Sequence, residues 1–256
     1  MQSLLSNAAT PSTAGARAWA RSAAMAAAAT IVFCSTAHAQ SSLIGGSDLL
    51  DAGSLQQLSG WLGQGDLQLT NIFDKVPGQT AADFHAAADG KGATFTLIEA
   101  MTNSGTFIIG GYNPVSWSTS GAWTTSPNVA DRIAFVFNLT TAQTFAQNAT
   151  AFGQNGGYNA ANAGPGFGNG FDIFVDGILG QASSFLASFG SPADFGKDLA
   201  RYPAPQFGSY PVGRLEVFSI ELAPVTTPVP EPETYALLLA GLAFTGAAAR
   251  RRRRQR

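Results

Sequence analysis

Few of the residues that build reactive or metal-binding sites occur in this chain of 256 residues, which contains one cysteine and two histidines. Cys34 lies in an apolar run near the N-terminus, and cleavage of that run leaves no residue that could form a disulfide or a thiolate metal site. The same cleavage leaves His85 as the only histidine. A structural zinc site is therefore excluded, and a catalytic one lacks its usual nitrogen ligands. We expect no metal and no cofactor.

Charged residues are scarce as well, at 12% of the sequence, and they are unevenly distributed. Between Gln40 and Leu222, six basic residues stand against fourteen acidic ones, which gives that segment a net charge of −8. A surface of this sign disfavours nucleic acid and anionic membranes as partners. The other basic residues lie near the two ends of the chain, at Arg17, Arg21, Arg250 to Arg254 and Arg256.

The N-terminal segment has the order of an export signal. Arg17 and Arg21 precede an apolar run at 23–34, and Ala37-His38-Ala39 follows it. This basic, apolar and small-residue order predicts a secretory signal peptide over residues 1–39, cut by signal peptidase before Gln40. The alternative, a buried N-terminal helix, fits less well because it does not explain the Ala-x-Ala sequence.

The C-terminal segment has three parts. Residues 223–229 form a linker rich in proline and threonine, which ends the folded region. The apolar run 234–249 follows and is predicted to form a transmembrane helix, because it comes within reach of the length that a bilayer requires if flanking residues snorkel. Arg250 to Arg254 would hold its end in the cytoplasm and leave the domain outside. An ordinary single-pass anchor is one interpretation of this order.

A more specific interpretation comes from the residues before the run. Val229-Pro230-Glu231-Pro232, the short apolar helix and the arginine cluster together resemble a PEP-CTERM sorting tail, here at 229–256. The resemblance implies an exported protein of a Gram-negative bacterium that is held transiently in the inner membrane. An exosortase would then cut it near the Pro-Glu-Pro sequence and release it to the cell surface or the exopolysaccharide matrix of a biofilm.

Hydrophobic periodicity predicts the elements between these ends. Two short helices are expected, one from Leu49 onward and one from Thr80 to Asp89. The strand at 132–139 has the cleanest alternation and is expected to be central. The region 140–169 lacks a sustained period and is predicted to be a long loop with one helical turn. Alternation of apolar and polar residues predicts strands at 66–73, 94–99, 106–109, 132–139, 171–175 and 214–222.

The stretch from Asp89 to Trp117 is expected to form the heart of the sheet. Strands 94–99 and 106–109 should pair as a hairpin that reverses at 102–105. The adjacent Gly110 and Gly111 predict a bulge or a close approach of two backbones. Trp117 is expected to be buried against Val115 and Trp123.

From about Leu62 to Leu222 the order of motifs resembles a TLDc domain, which we place at 40–222. The resemblance implies an α+β, mainly β fold in which two antiparallel sheets pack face to face as a β-sandwich with short flanking helices. The matching points are, in chain order, Phe84-His85, Asp89 to Gly92 with Thr94 to Ile98, Gly110 to Tyr112, Ser116-Trp117, Phe135 to Phe137, Phe167 to Asp172 and Leu215 to Phe218.

The functional knowledge attached to that family comes from intracellular eukaryotic members, which are linked to oxidation resistance and to binding of the vacuolar proton pump. An exported bacterial protein cannot meet that pump, so the resemblance carries the fold but not the partner. Eight residues of the family motif are interpreted as structural: Asp89, Gly90, Lys91, Gly92, Gly110, Gly111, Tyr112 and Trp117.

No catalytic residue is assigned from the sequence. His85 follows the core residue Phe84 and is interpreted as a structural histidine. Asp172 with Asp176, or Asp89 with Glu99, could supply the paired carboxylates of a glycosidase. Solvated aspartates at strand ends explain the same residues, and a calcium loop is disfavoured by Lys91 and the absence of a repeated aspartate spacing.

Two functions of different class therefore remain. The favoured one is a non-catalytic surface or matrix module that binds an envelope protein or a glycan such as exopolysaccharide. It is favoured because the chain has no recognisable nucleophile or metal cluster, yet its predicted sorting tail directs it to the cell surface or matrix. The alternative is a carbohydrate-active hydrolase that uses paired carboxylates.

Overall fold

The computed structural model of the chain describes residues 40–169, 171–204, 206–224 and 232–254. The predicted signal peptide at 1–39, with Ala37 and Ala39, lies outside these residues, as do linker residues 225–229 and the motif residues Val229, Pro230 and Glu231. The described residues form three α-helices and twelve strands. The helices are α1 Ala52–Leu62, α2 Ala81–Ala88 and α3 Pro232–Arg253. The strands are β1 Ser42–Ile44, β2 Leu67–Asp74, β3 Thr94–Thr102, β4 Gly105–Asn113, β5 Trp123–Thr125, β6 Phe135–Asn138, β7 Gln143–Ala146, β8 Asn155–Tyr158, β9 Gly166–Phe167, β10 Ile173–Val175, β11 Gln181–Ser184 and β12 Gly208–Leu222.

The first two helices are confirmed where the sequence predicted them. Helix α1 begins after Asp51, whose carboxylate accepts a hydrogen bond from the Ser54 amide at 2.7 Å. It ends at Gly63, which has a φ of 68° and donates its N–H to the Ser59 carbonyl at 3.0 Å. At the start of α2 the Thr80 amide donates to the Asp83 carboxylate at 2.8 Å, so the acidic side chain satisfies a free donor at this helix end.

The predicted hairpin is also confirmed. Strands β3 and β4 pair continuously from Thr94 opposite Asn113 to Thr102 opposite Gly105. On its other side, β3 pairs with β12, which lies near the middle of the strand order β5-β8-β9-β10-β11-β12-β3-β4-β6-β7. Strand β6, which the sequence predicted to be central, lies inside the sheet between β4 and β7. The strands near the middle of the order are β12 and β3.

The mainly β character is confirmed, but a sandwich of two separate sheets is not. Strand β12 is 15 residues long, and its first four residues, Gly208 to Pro211, pair with β11. From Val212 onward it pairs with β3, and from Glu216 it pairs with β2 on the other side. One long strand therefore joins both halves into a single twelve-stranded sheet among the described residues.

The region 140–169 is not the long loop that the sequence predicted. It contains β7, β8 and β9, with a short 3-10 helix at Phe152–Gln154. Glycines interrupt the apolar and polar alternation here, and each strand has only two to four residues. Strands this short give no hydrophobic periodicity that sequence analysis could detect. The strands form because neighbouring strands supply their hydrogen bonds.

Two hydrophobic clusters fill the domain. The first lies between the halves of the sheet and includes Ile109 and Val136 from one half with Phe167 and Ile173 from the other. The second lies on the opposite face of β3 and β4, where α1 packs against it. Strands β3 and β4 are therefore covered on both faces, which explains why their buried residues do not follow a simple alternation.

Helix α3 confirms a helix at the C-terminal end, but the prediction that 234–249 spans a membrane is wrong. No helix among the described residues is both long and apolar enough to cross a bilayer. An apolar run of about 16 residues reaches roughly 24 Å at 1.5 Å per residue, short of a hydrocarbon core of about 30 Å. The inner-membrane intermediate stays a prediction.

Candidate functional site

The family-motif residues Asp89 to Gly92 and Trp117 lie together. The Gly90 amide donates to the Trp117 carbonyl at 3.3 Å, and the Gly92 amide donates to the Ser116 hydroxyl at 2.8 Å. The Trp117 indole is 1% exposed and donates through Nε1 to the Thr94 hydroxyl at 2.9 Å. Lys91 is exposed at the turn.

The contacts of Trp117 differ from those that the sequence suggested. Its ring packs edge-on against Phe84 at 5.5 Å and against Phe167 at 5.4 Å between ring centroids. Val115 is 41% exposed, and Trp123 instead stacks with Tyr158. The predicted contacts with Val115 and Trp123 were wrong, because the indole points into the core between the two halves of the sheet.

Gly110 and Gly111 allow the close approach that the sequence predicted, without a bulge. Both lie in the continuous pairing of β3 with β4. A β-carbon on Gly111 would come within 2.6 Å of the Phe167 ring, and one on Gly110 would collide with the Thr96 carbonyl. Tyr112 is buried in the second cluster and packs against Phe135 at 5.3 Å.

His85 has both ring nitrogens in hydrogen bonds. Nδ1 lies 2.7 Å from the Asp89 carboxylate, and Nε2 lies 3.0 Å from the Ala160 carbonyl. The side chain is 5% exposed. It therefore joins α2 to the segment after β8, and neither nitrogen is free to act on a substrate.

An exposed aromatic cluster lies on the outer face of the sheet. Its four members, which we call the aromatic platform, are Trp123, Tyr158, Phe171 and Phe174. The Trp123 and Tyr158 rings are 4.5 Å apart, and the Phe171 and Phe174 rings are 4.6 Å apart. Phe171 closes the gap at 5.8 Å from both Trp123 and Tyr158. Phe171 is 36% exposed and the other three are partly exposed.

Strand register builds this platform. Trp123 pairs with Tyr158, Tyr158 pairs with Gly166, and Gly166 pairs with Phe174, so these four residues form one row across β5, β8, β9 and β10. Residues directly opposite in a sheet point to the same face. The alternate residues Phe167, Ile173 and Val175 are in the core, which places the row on the outer face.

Gly166 and Phe171 complete the row. A β-carbon on Gly166 would lie 3.1 Å from the Tyr158 β-carbon and 3.6 Å from the Phe174 ring, so the glycine leaves a shallow gap between them. Phe171 packs against Trp123, Tyr158 and Phe174 from the turn before β10, in which its amide donates to the Gly168 carbonyl at 3.0 Å. It has a φ of 56°, a left-handed conformation that is strained for a phenylalanine.

Residues 43–221 match the family model of the TLDc domain. The chain belongs to the TLDc family. Residues 228–254 match the PEP-CTERM protein-sorting motif, which marks exported proteins of Gram-negative bacteria that an exosortase sorts toward the cell surface. A comparison with curated proteins found no match. The aromatic platform lies within the TLDc domain, and the sorting motif includes Pro232 and helix α3.

The carboxylates that the sequence offered as glycosidase pairs have separate partners in the TLDc domain. Asp172 is fully buried, and its Oδ1 accepts hydrogen bonds from the amides of Ala187, Ser188 and Phe189 at 2.6 to 3.0 Å. Burial raises the pKa of Asp172 to about 6, although these amides oppose the rise. Asp176 accepts from the amides of Gly180 and Gln181.

The second suggested pair is divided in the same way. Asp89 bonds to His85, whereas Glu99 lies against Gly213 of β12. These carboxylates hold turns and strand ends. None of their contacts joins the two members of a pair.

A different acidic group was missed by sequence reasoning. Oxygen atoms of Asp48, Asp74 and Glu216 all lie within 4.8 Å of one another, an arrangement that could hold a metal ion. Register explains it, because Glu216 on β12 pairs directly with Asp74 on β2. Glu216 is buried and accepts from the Asp48 amide at 2.8 Å and from the Ser47 hydroxyl. Asp48 also pairs with the Arg214 guanidinium, so the group already has internal partners.

The platform itself was also missed, because Tyr158 falls in the region predicted as a loop. One signal in the sequence points to it. Residues 100–171 contain only two charged residues, Asp131 and Arg132, yet they include many aromatic ones. Many of these aromatic residues are buried in the core, so the low charge of the stretch is the signal that indicates an unusual surface in an otherwise acidic TLDc domain.

Proposed function

We propose that the protein is an exported, exosortase-sorted component of the cell surface or extracellular matrix, and that its TLDc domain is a non-catalytic module that binds glycan through the aromatic platform. The observation that carries this proposal is the exposed row of rings. Phe171, Trp123 and Tyr158 remain accessible although the same domain buries Trp117 and Tyr112 completely or nearly so.

The chemistry of the rings favours a sugar ligand. A pyranose ring presents a flat face of C–H groups, which can stack on an aromatic ring, while its hydroxyls remain available for hydrogen bonds. Trp and Tyr suit this use because each joins a large apolar body to one polar group. They also offer contact area at a low cost in side-chain entropy, since each has only two rotatable side-chain bonds.

The strained backbone at Phe171 supports the same conclusion. A phenylalanine at positive φ costs about 1–3 kcal/mol, and such strain concentrates at functional sites. The following residue, Asp172, holds the turn through three backbone amides. The domain thus keeps this ring against the other three rings at a cost in stability.

The proposed processing agrees with a surface role. Signal peptidase would cut before Gln40 to remove residues 1–39, and exosortase would cut near Val229, Pro230, Glu231 and Pro232. The linker at 223–229 would separate the TLDc domain from the sorting tail at 229–256. The released domain would then meet the exopolysaccharide or an envelope protein as its first partner.

The test is a binding assay of the purified protein on the cell's own exopolysaccharide. We expect Trp123→Ala and Phe171→Ala each to weaken binding about tenfold or more, since losing one stacked ring removes about 0.5–1.5 kcal/mol beyond its buried area. Phe207→Ala is the matched control, because Phe207 is an exposed phenylalanine, at 56%, outside the platform. Its binding should equal that of the unchanged protein.

Three results would contradict the proposal. Equal binding by the platform variants and the control would remove the platform from the function. Release of reducing sugar ends during the assay would favour the hydrolase alternative. Platform-dependent capture of a purified envelope protein, with no binding to polysaccharide, would replace glycan by protein as the ligand.

A further inference from the structure

We infer that the ligand of the aromatic platform is an uncharged polysaccharide, bound as an extended chain across the strands; this inference rests on the proposed glycan-binding function. It starts from the distribution of charge. Residues 100–171, which supply three of the four platform rings, contain only Asp131 and Arg132 as charged residues. The fourth ring, Phe174, lies between Asp172 and Asp176 in the chain.

The one cation in this stretch is already occupied. The Arg132 guanidinium donates to the carbonyls of Ser126, Asn148 and Thr150 at 2.6 to 3.0 Å and to that of Pro127 at 3.2 Å. Recognition of a uronate, sulfate or phosphate group depends on such a guanidinium or on a free lysine. Arg132 instead fixes the backbone beyond β5.

The carboxylates of Asp131, Asp172 and Asp176 also accept hydrogen bonds from other parts of the protein. The Asp172 carboxylate is fully buried and bound by backbone amides, and Asp176 closes the turn before β11. Asp131 lies in the 3-10 helix after β5, where it accepts from the Asn128 amide group at 3.1 Å. Each of these three carboxylates therefore already has hydrogen-bond donors within the protein, which disfavours an amino sugar as the ligand.

The polar groups beside the rings are neutral. Asn159, next to Tyr158, is buried, and its side chain accepts from the Ser118 amide and donates to the Thr124 hydroxyl, each at 3.1 Å. The Ser118 hydroxyl donates to that of Ser120 at 3.2 Å in an exposed position. Exposed hydroxyl groups such as those of Ser118 and Ser120 can both donate to and accept from sugar hydroxyls without any charge.

The shape of the platform favours a chain over a single sugar. The row crosses β5, β8, β9 and β10, and strands lie about 4.8 Å apart, so it extends over roughly 14 Å. Three of the rings, Trp123, Tyr158 and Phe174, lie along that row, and Phe171 packs against all three, so the platform is long enough to contact more than one sugar unit. The net charge of −8 between residues 40 and 222 would in addition repel an anionic chain.

The experiment compares three classes of polysaccharide on the purified protein: neutral β-glucan, α-glucan and cellulose, anionic alginate, and cationic chitosan. We expect binding to at least one neutral probe and none to alginate, while any binding to chitosan should be the same in a variant without the Phe171 ring, because the net charge of −8 attracts a polycation without the platform. The affinity should change less than about twofold between about 0.1 M and about 1 M NaCl, because salt screens charge interactions only.

The variants make this test independent of folding. Phe171→Gly removes the ring at a backbone conformation that glycine adopts without strain, so the fold should be retained while binding falls about tenfold. Phe171→Tyr keeps a ring there and should retain more binding than Phe171→Gly does. Phe207→Ala again serves as the control, and thermal melts of all variants check their fold.

The outcomes separate the two proposals. Binding to alginate or chitosan that weakens with salt and is lost in Phe171→Gly would overturn the uncharged ligand but keep the platform as a glycan site. Binding to no probe of any class, or binding to a neutral probe that Phe171→Gly leaves unchanged, would overturn the glycan-binding function and this inference with it.

Discussion

The phenyl ring of Phe167 lies directly against the α-carbon of Gly111, so that a β-carbon at residue 111 would come within 2.6 Å of the ring. Gly111 belongs to β4 and Phe167 to β9, which lie on opposite sides of the core between the two halves of the sheet. The glycine therefore sets how closely the halves approach. Trp117 packs edge-on against the same ring at 5.4 Å, which fixes it in place.

Substitution of Gly111 should therefore destabilise the domain. We expect Gly111→Ala to lower the free energy of unfolding by about 1–3 kcal/mol and Gly111→Val to lower it further, because the ring cannot move away from a new side chain without disturbing Trp117. Gly60→Ala is the matched control, since a β-carbon there meets nothing within 4 Å and lies in α1. It should raise stability by about 0.5–1 kcal/mol. Urea denaturation measures all three, and equal midpoints would refute the contact.

Trp117 should matter for stability and not for ligand binding. We expect Trp117→Ala to cost about 3–5 kcal/mol, since it empties a fully buried site in the core. Trp117→Phe keeps part of the packing but leaves the Thr94 hydroxyl without its indole donor, at a cost of about 1–3 kcal/mol. Trp123→Ala should show the opposite pattern, with weak binding and a small loss of stability. An unchanged melting temperature in Trp117→Ala together with lost glycan binding would reverse these roles.

Asp172 should make stability depend on pH. Burial raises its pKa from 3.8 to about 6 in the folded protein, so folding favours the protonated form. Its contribution to stability is fully present below about pH 3.8 and is lost as the pH rises through 6, by about 3 kcal/mol in all.

The measurement compares urea denaturation of the unchanged protein and Asp172→Asn between about pH 4 and pH 8. Asparagine keeps a carbonyl oxygen for the amides of Ala187 and Phe189 but does not titrate. The stability difference between the two proteins should therefore vary with pH, with the unchanged protein losing stability relative to the variant as the pH rises. A constant difference would show that Asp172 keeps one charge state throughout.

A chelator should leave the domain unaffected. The acidic group of Asp48, Asp74 and Glu216 is the part of the described chain best placed to hold a metal, yet its carboxylates already bond to Ser47 and Arg214. We expect EDTA to shift the melting temperature by less than about 5 °C, which corresponds to roughly 1–2 kcal/mol. A larger fall that disappears in Asp74→Asn would identify a bound ion at this group.

The exported form should lack both ends of the chain. We expect mass spectrometry of the protein outside the cell to find Gln40 at its start and no Arg250 to Arg254 cluster. Replacement of Glu231 by Ala should block the second cut, because it alters the sorting motif while leaving α3 unchanged. An intact arginine cluster on the extracellular protein would contradict this processing, and recovery of all the protein from the cytosol would contradict export.

The sequence by itself determined the elements whose contacts are local. Helix α1 follows from Asp51 before it and Gly63 after it, since a capping carboxylate and a left-handed glycine act within one turn. The hairpin of β3 and β4 follows from the turn at 102–105 between two strands of alternating residues. The apolar run at 234–249 predicts a helix correctly from local pattern. The predicted membrane span is wrong, because the run is too short.

Only the tertiary structure decided how distant segments combine. Strand β12 joins both halves of the sheet because its fifteen residues change partners along their length, which no local pattern records. The platform depends on the same kind of pairing, since Trp123, Tyr158 and Phe174 meet only through the register of four short strands. Register is set by hydrogen bonds between residues far apart in the chain, and a shift by one residue would turn these rings into the core.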